Sequence, residues 1–217
     1  MLADSALRFT KLLLGLYLFG FGVALMVHAS IGIPPWDVLA QGISKTFNIS
    51  YGMASIVVSA LVLTLWIPIR QKPGIGTVLN GILVGVFADS VFPWLPRMQS
   101  YPQQLGFFLF GMVSLALASG LYISSNLGAG PRDGFVVGMQ RRLMKPLWLV
   151  RAVTEILALL IGFLLGGQVR EGTVIFALGI GYLMQLSFRI FGIKTHKRED
   201  NVQTRNFEEP EPDPSAF

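Results

Sequence analysis

Six long apolar runs, separated by short polar or glycine- and proline-rich segments, set the pattern of the sequence. They lie at about residues 12–27, 52–69, 78–94, 105–124, 147–165 and 173–191. Each run approaches the roughly 20 residues that an α-helix needs to cross a hydrocarbon core about 30 Å thick. The pattern therefore predicts an all-α membrane protein with six transmembrane helices.

The composition points to the same class of protein. Of the 217 residues, 53% are hydrophobic and 13% are charged, and the mean hydropathy is +0.60. Such a chain has too few polar groups to cover a soluble globule of its size. The formal net charge of +5 comes from basic residues that flank the apolar runs, a pattern of membrane topology that predicts no nucleic-acid partner. The lipid bilayer is the first expected partner.

A motif that occurs twice divides the chain into two halves. Gly32, Pro35, Asp37 and Gly42 recur 96 positions later, and the offset extends over most of the chain without a gap. We expect a first repeat at residues 1–96, a second at 97–193, and a disordered cytoplasmic tail at 194–217. Because each repeat holds an odd number of spans, the second must lie upside down relative to the first.

Lys and Arg residues indicate the orientation in the membrane. With both termini in the cytoplasm, thirteen basic residues lie in inner segments and three in outer loops. This is a strong positive-inside bias. The sequence therefore predicts a multi-pass protein with cytoplasmic termini.

Each copy of the motif predicts a short helix after the first span of its repeat. Pro35 and Pro131 suit the first position of a helix, and Asp37 and Asp133 then lie in the first turn, near the positive end of the helix dipole. We expect helices of about three turns that end near residues 47 and 143. Two interpretations stay open: interfacial helices capped by Asp, or broken, re-entrant helices that enter the membrane from opposite sides and line a central cavity.

Departures from the repeat mark candidate chemistry. Trp36 corresponds to Arg132, while Ser55 and Ser59 correspond to Arg151 and Glu155. Glu155 lies about 12 Å along the fifth span, near the bilayer centre, where an ionisable residue is costly and usually faces a pathway. The alternative is that Arg151 and Glu155 only pair with each other on one helix face while Arg151 extends to the surface.

Other chemistry has no support in the sequence. The chain has no cysteine, and its two histidines form no metal-binding motif, so we expect no metal and no other cofactor. No phosphate-binding loop or nucleophile motif is present, and we expect a protein that is not an enzyme.

These residues resemble those of the YczE/YyaS/YitT-type bacterial membrane proteins, most closely the YczE branch. The likeness spans about residues 10–190, and the string Gly-Pro-Arg-Asp-Gly at 130–134 is its most specific part. It also includes Gly32, residues 35–39, Gly42, Gly128, Ala129, Arg151, Glu155, residues 166–167 and residues 172–173. The resemblance implies a bacterial inner-membrane location and a transport role, and it supplies no substrate.

We therefore expect a secondary transporter or permease for a small polar or anionic solute, coupled to a proton or another cation. The expected solute-binding residues are Asp37, Arg132, Asp133, Glu155, Arg151 and Trp36. The expected backbone of the motif is formed by Gly32, Pro35, Gly128, Gly130, Pro131 and Gly134. The alternatives are a passive channel and a non-transporting accessory or scaffold for a membrane partner; a homodimer is one expected assembly.

Overall fold

The computed structural model describes residues 2–193, and within them it contains eight α-helices and no strand. The helices are α1 (Leu2–Ala29), α2 (Pro35–Phe47), α3 (Tyr51–Ile69), α4 (Ile75–Val91), α5 (Tyr101–Ile123), α6 (Pro131–Leu143), α7 (Leu147–Leu164) and α8 (Glu171–Ile190). A 3₁₀ turn, Phe92–Trp94, extends α4. The predicted all-α class is confirmed, and the predicted tail at 194–217 lies outside the described residues.

Among the described residues, five helices are long and apolar enough to cross a membrane: α1, α3, α4 with its 3₁₀ extension, α5 and α8. They carry many large apolar side chains on their outer surfaces; Ile67 is 76% exposed and Leu178 is 72% exposed. In water such a surface would be very unfavourable, whereas lipid tails cover it at no cost. The chain is therefore an integral membrane protein. Helix α7, with 18 residues, coincides with the fifth apolar run.

The two short helices have the predicted bounds. Both α2 and α6 have 13 residues and begin at a proline, Pro35 and Pro131. Proline needs no hydrogen-bond acceptor at this position because it has no N–H group, and its fixed φ suits the first helical turn. Both helices end at a residue in the left-handed conformation, Asn48 at φ 52° and Met144 at φ 52°.

Helices α1 and α5 form the centre of the fold and run antiparallel. A methyl group on Gly22 of α1 would lie 2.7 Å from the carbonyl oxygen of Gly111 in α5, so only glycine permits this approach. Further along the pair, a methyl group on Gly15 would lie 2.7 Å from the backbone nitrogen of Tyr122. Around this pair, α1 also packs on α4, α5 on α8, α2 on α7 and α6 on α3.

The loop before each short helix forms a hydrogen bond with the first turn of a long helix from the other half. The Gly172 N–H donates to the carbonyl oxygen of Ile31 at 2.8 Å, and the Gly76 N–H donates to that of Leu127, also at 2.8 Å. The two bonds join positions that correspond under the 96-residue offset. Each short helix is therefore anchored by the opposite half of the chain.

Two motif glycines make these contacts possible. Gly32 has φ +125° and Gly128 has φ +131°, a region of backbone conformation that favours glycine. A methyl group on Gly32 would lie 2.6 Å from the nitrogen of Thr173, and one on Gly128 would lie 2.8 Å from Oγ1 of Thr77. Any larger residue would thus be excluded both by φ and by the neighbouring helix.

Candidate functional site

A cavity of about 220 Å³ lies in the middle of the helix assembly. All eight helices contribute side chains to its wall, which is mostly apolar and carries five ionisable groups of the predicted site. At about 30 Å³ for each water molecule, it has room for roughly seven waters or a small organic solute. The wall includes all six side chains that the sequence predicted for solute binding: Trp36, Asp37, Arg132, Asp133, Arg151 and Glu155.

The cavity lies where equivalent positions of the two repeats meet. Of its 23 lining residues, eighteen form nine pairs separated by 96 positions. The pairs are Phe19 and Leu115, Pro34 and Gly130, Pro35 and Pro131, Trp36 and Arg132, Asp37 and Asp133, Ser55 and Arg151, Ser59 and Glu155, Asn80 and Phe176, and Val84 and Ile180. The three charged residues of the second repeat that replace uncharged ones of the first, Arg132, Arg151 and Glu155, therefore all line the same cavity.

Five lining residues have no lining counterpart, and they extend the cavity in one direction. They are Ser119, Tyr122, Val136, Val137 and Met184. Ser119 and Tyr122 lie in the second half of α5 and Met184 in the second half of α8, while Val136 and Val137 lie in the middle of α6. The C-terminal ends of α5 and α8 are adjacent, because Gly120 of α5 packs against Ser187 and Phe191. The cavity thus reaches further toward this end of the assembly.

An ion pair joins the first turns of the two short helices. Arg132 Nη1 donates to Oδ1 of Asp37 at 3.0 Å, and the Tyr51 hydroxyl donates to the same oxygen at 2.9 Å. The Asp37 side chain is 3% exposed, whereas that of Arg132 is 23% exposed and reaches the cavity. The guanidinium carbon lies 5.8 Å from the centre of the Trp36 ring, within cation–π range. Asp37 is therefore held in place by two donors.

A second ion pair lies within α7. Arg151 Nε donates to Oε1 of Glu155 at 2.8 Å, with the side chains 49% and 33% exposed. The pairing on one helix face, one of the two interpretations of these residues, is thus present in the structure. Both residues also line the cavity, so pairing and a position on the cavity wall occur together.

Asp133 has a different environment from its counterpart Asp37. Its Oδ2 accepts a hydrogen bond from the Tyr122 hydroxyl at 3.1 Å. Within residues 2–193, no Lys, Arg or His nitrogen forms a salt bridge with this carboxylate. The two motif aspartates therefore begin equivalent helices, but one is paired with a cation and the other with a neutral donor.

The predicted motif backbone separates into two groups. Pro35, Gly130 and Pro131 line the cavity. Gly32, Gly128 and Gly134 lie behind it as packing positions; a methyl group on Gly134 would collide with the indole ring of Trp66. These three residues shape the loops and helix contacts that hold the charged side chains in position.

Sequence reasoning missed three aromatic residues that support the site. Tyr51 and Tyr122 donate to the two motif aspartates, and Trp66 Nε1 donates to the carbonyl oxygen of Pro131 at 3.1 Å. The repeat alignment carries a signal for the two tyrosines, because their counterparts at positions 147 and 26 are Leu and Met. A criterion that counted hydrogen-bonding groups as well as charges would have selected them.

The described part of the chain contains no group of three or more His, Cys, Asp or Glu residues that could hold a metal ion. The ionisable groups at the cavity are instead arranged as carboxylates with guanidinium or hydroxyl donors.

The fold and the cavity define an all-helical integral membrane protein with a charged central cavity. Comparison with known proteins identifies its family: residues 6–189 match the profile of the "Family of unknown function (DUF6198)", and the chain belongs to this family.

Three curated relatives agree with this assignment. An "Uncharacterized protein" of Haemophilus influenzae is 37% identical over 85% of both chains. The "Uncharacterized membrane protein YczE" of Bacillus subtilis is 31% identical over 85% of this chain and 86% of the relative. "Uncharacterized protein YyaS" of the same organism is 21% identical over 75% and 83%. The resemblance to YczE-like proteins is confirmed. No solved structure matches the chain.

Proposed function

We propose that this protein is a small secondary transporter that binds its solute in the central cavity. The observation that carries the proposal is the set of five ionisable side chains around one central cavity between two related halves. Ionisable groups inside a membrane are unfavourable and usually mark a solute or ion pathway. Transporters built from repeats bind their substrates at this kind of interface, near the bilayer midplane.

The proposed architecture has six spans, with α7 as the sixth. Its 18 residues extend about 27 Å at 1.5 Å per residue, close to the thickness of a hydrocarbon core. Large apolar side chains cover the outer face of α7; Ile156 is 61% exposed and Leu164 is 75% exposed. The charges of Arg151 and Glu155 lie on the cavity side.

Three features support two halves of inverted topology. Helices α1 and α5, which correspond under the repeat, run antiparallel. The reciprocal hydrogen bonds of the two loops obey the same 96-residue offset, and so do nine pairs of cavity residues. In this arrangement α2 and α6 enter the membrane from opposite sides as re-entrant helices, which is acceptable because their irregular ends lie against protein and cavity.

The charge distribution supports cytoplasmic termini and, with the bacterial relatives, an inner-membrane location. In this orientation the cavity extends toward the cytoplasm. On the outer side, α2 closes on α7: a methyl group on Gly162 would lie 2.5 Å from the carbonyl carbon of Val38. The equivalent contact on the inner side joins Trp66 and Gly134, and a large indole ring separates the helices there.

We infer that the contact between α2 and α7 is the outer gate and that the contact between α3 and α6, filled by the buried Trp66 ring, is the inner gate. In a cycle of alternating access, α6 would approach α3 while α2 separates from α7. The glycine lies on the long helix in one contact and on the short helix in the other. The two proposed gates therefore differ in construction: glycine packs on backbone in the outer contact and on an indole ring in the inner contact.

Thiol labelling tests the cavity, since the chain has no native cysteine. Ser119→Cys in α5 lines the cavity, whereas Ser125→Cys lies just beyond the C-terminal end of the same helix and is fully buried away from the cavity. We expect a membrane-impermeant thiol reagent to label Ser119→Cys from the cytoplasmic side and to leave Ser125→Cys unmodified. Labelling of Ser125→Cys alone would contradict an open cavity.

Solute flux into proteoliposomes tests the transport function itself. We expect saturable uptake that responds to a proton or cation gradient. Flux that does not saturate and ignores such gradients would identify a passive channel. Absence of flux across a broad panel of metabolites, with insertion confirmed by labelling, would exclude transport and favour the accessory role.

A further inference from the structure

The charged groups of the cavity do not balance. Two guanidinium groups, Arg132 and Arg151, face three carboxylates, Asp37, Asp133 and Glu155. Arg132 is paired with Asp37 at 3.0 Å and Arg151 with Glu155 at 2.8 Å. By formal charge the cavity therefore has one excess negative charge, which Asp133 and Glu155 share around Arg151.

The surroundings of Asp133 compensate its charge only in part. It lies in the first turn of α6, where the free N–H groups and the helix dipole favour an anion, and it accepts a hydrogen bond from the Tyr122 hydroxyl. Asp37 has the same helix position and a tyrosine donor, yet it also has Arg132. Asp133 forms no such direct ion pair, although Arg151 lies close enough to interact with it electrostatically.

We propose that the cavity binds a small organic cation, an ammonium group on an apolar body, with the ammonium at Asp133. This inference takes from the proposed function only the site, and it narrows the solute class. A carboxylate or phosphate solute would add negative charge to a cavity that already has an excess. An ammonium group would instead meet Asp133, a carboxylate that lines the cavity and forms no direct ion pair.

Besides four polar residues, Ser55, Ser59, Asn80 and Ser119, the cavity wall has an apolar part that fits the body of such a solute. Phe19, Val84, Leu115, Phe176 and Ile180 line the cavity and offer no hydrogen-bonding groups. Aromatic faces also attract ammonium groups through cation–π interactions. An inorganic divalent ion is a poor fit, because Ca²⁺ takes about six to eight oxygen ligands and the described residues hold no cluster of that kind. The volume of about 220 Å³ sets the upper size of the solute.

A matched series of small ligands tests the charge preference on the full-length protein in detergent. The probes are butylammonium, butanoate and butanamide, which have similar size and positive, negative and no charge. We expect butylammonium to raise the melting temperature and to slow labelling of Ser119→Cys, and the other two probes to do neither. The proposal would be overturned if butanamide had the same effect as butylammonium, or if butanoate had a larger one. It would also be overturned if no ammonium compound, up to the size of 2-phenylethylammonium, had any effect.

Substitution locates the binding group. Asp133→Asn retains size and can still accept the Tyr122 hydrogen bond, while Glu171→Gln removes a carboxylate from exposed α8 sequence that does not line the cavity. We expect the affinity for butylammonium to fall about tenfold or more in Asp133→Asn, as for loss of a hydrogen bond to a charged group, and to be unchanged in Glu171→Gln. Equal affinity in both variants would overturn the assignment to Asp133.

The two proposals fail in different ways. Binding of butylammonium without flux of any ammonium solute would retain the cation site and reject transport. Flux of an anionic solute that competes with no ammonium probe would retain transport and reject the cation site.

Discussion

The close contact between α2 and α7 can be tested with one methyl group. Gly162 of α7 lies against the backbone of Val38 and Leu39, where an added Cβ would lie 2.5 Å from a carbonyl carbon and 2.6 Å from a Cα atom. Backbone atoms cannot move aside as the end of a side chain can, so Gly162→Ala must push the helices apart. Gly181→Ala in α8 is the matched control, because nothing lies within 4 Å of its added Cβ.

The difference in unfolding free energy between Gly162→Ala and Gly181→Ala measures the cost of overpacking at Gly162. In an open helix, replacing glycine by alanine stabilises by about 0.5–1 kcal/mol, and this gain applies to both sites. Overpacking at Gly162 costs about 1–3 kcal/mol in addition. We therefore expect Gly162→Ala to be less stable than Gly181→Ala by about 1–3 kcal/mol, at roughly 2–4 °C of melting temperature for each kcal/mol in a chain of this size.

The assay is thermal unfolding of both purified variants in the same detergent, followed by thiol labelling from outside. If the contact is the outer gate, separating the helices should also expose Ser55→Cys, on the cavity wall, to an impermeant reagent from outside. Equal melting temperatures for the two alanine variants would refute the close approach of α2 and α7. If Gly162→Ala lowers the melting temperature but Ser55→Cys is not labelled from outside, the contact between α2 and α7 stabilises the fold without acting as a gate.

Two further predictions concern polar contacts between the halves. Asp37→Asn should lower stability by about 3 kcal/mol by leaving Arg132 unpaired, and the double variant with Arg132→Gln should recover part of the loss, which a double-mutant cycle of melting temperatures measures. Trp66→Phe removes the donor to the Pro131 carbonyl oxygen and should cost about 0.5–1.5 kcal/mol, while Trp148→Phe, at a site 68% exposed, should have almost no effect on unfolding. Additive losses in the cycle, or equal effects of the two tryptophan changes, would contradict these contacts.

The helices of this fold were predictable from local sequence. Apolar runs of the right length gave the long helices to within a few residues, because the membrane imposes a simple length requirement. The ends of α2 were predictable because Pro35 favours a helix start, and its bounds Pro35–Phe47 agree with the expectation. The long helix α1 begins earlier than its apolar run, at Leu2, since polar residues continue a helix beyond the membrane at no cost.

The sequence predicted which residues belong to the candidate site but not which of them contact each other across the fold. Comparison of the repeats selected Trp36, Arg132, Arg151 and Glu155, and all four line the cavity; their binding role stays a prediction. The partners could not be predicted, because the ion pair between Asp37 and Arg132 joins residues 95 positions apart through helix packing alone. Spacing along one helix could suggest only the local pair, Arg151 with Glu155.

The broken symmetry itself explains how a duplicated scaffold obtains a charged site. Two identical halves would place Asp37 and Asp133 in equal surroundings, and an arginine at both positions 36 and 132 would neutralise both aspartates. Because position 36 is Trp, only Asp37 forms a direct ion pair with an arginine of the motif, while Asp133 accepts from the Tyr122 hydroxyl instead. The second departure, Arg151 with Glu155, adds a pair without adding net charge. The excess negative charge of the cavity is therefore a consequence of a single departure from the repeat, and the proposed cation site depends on it.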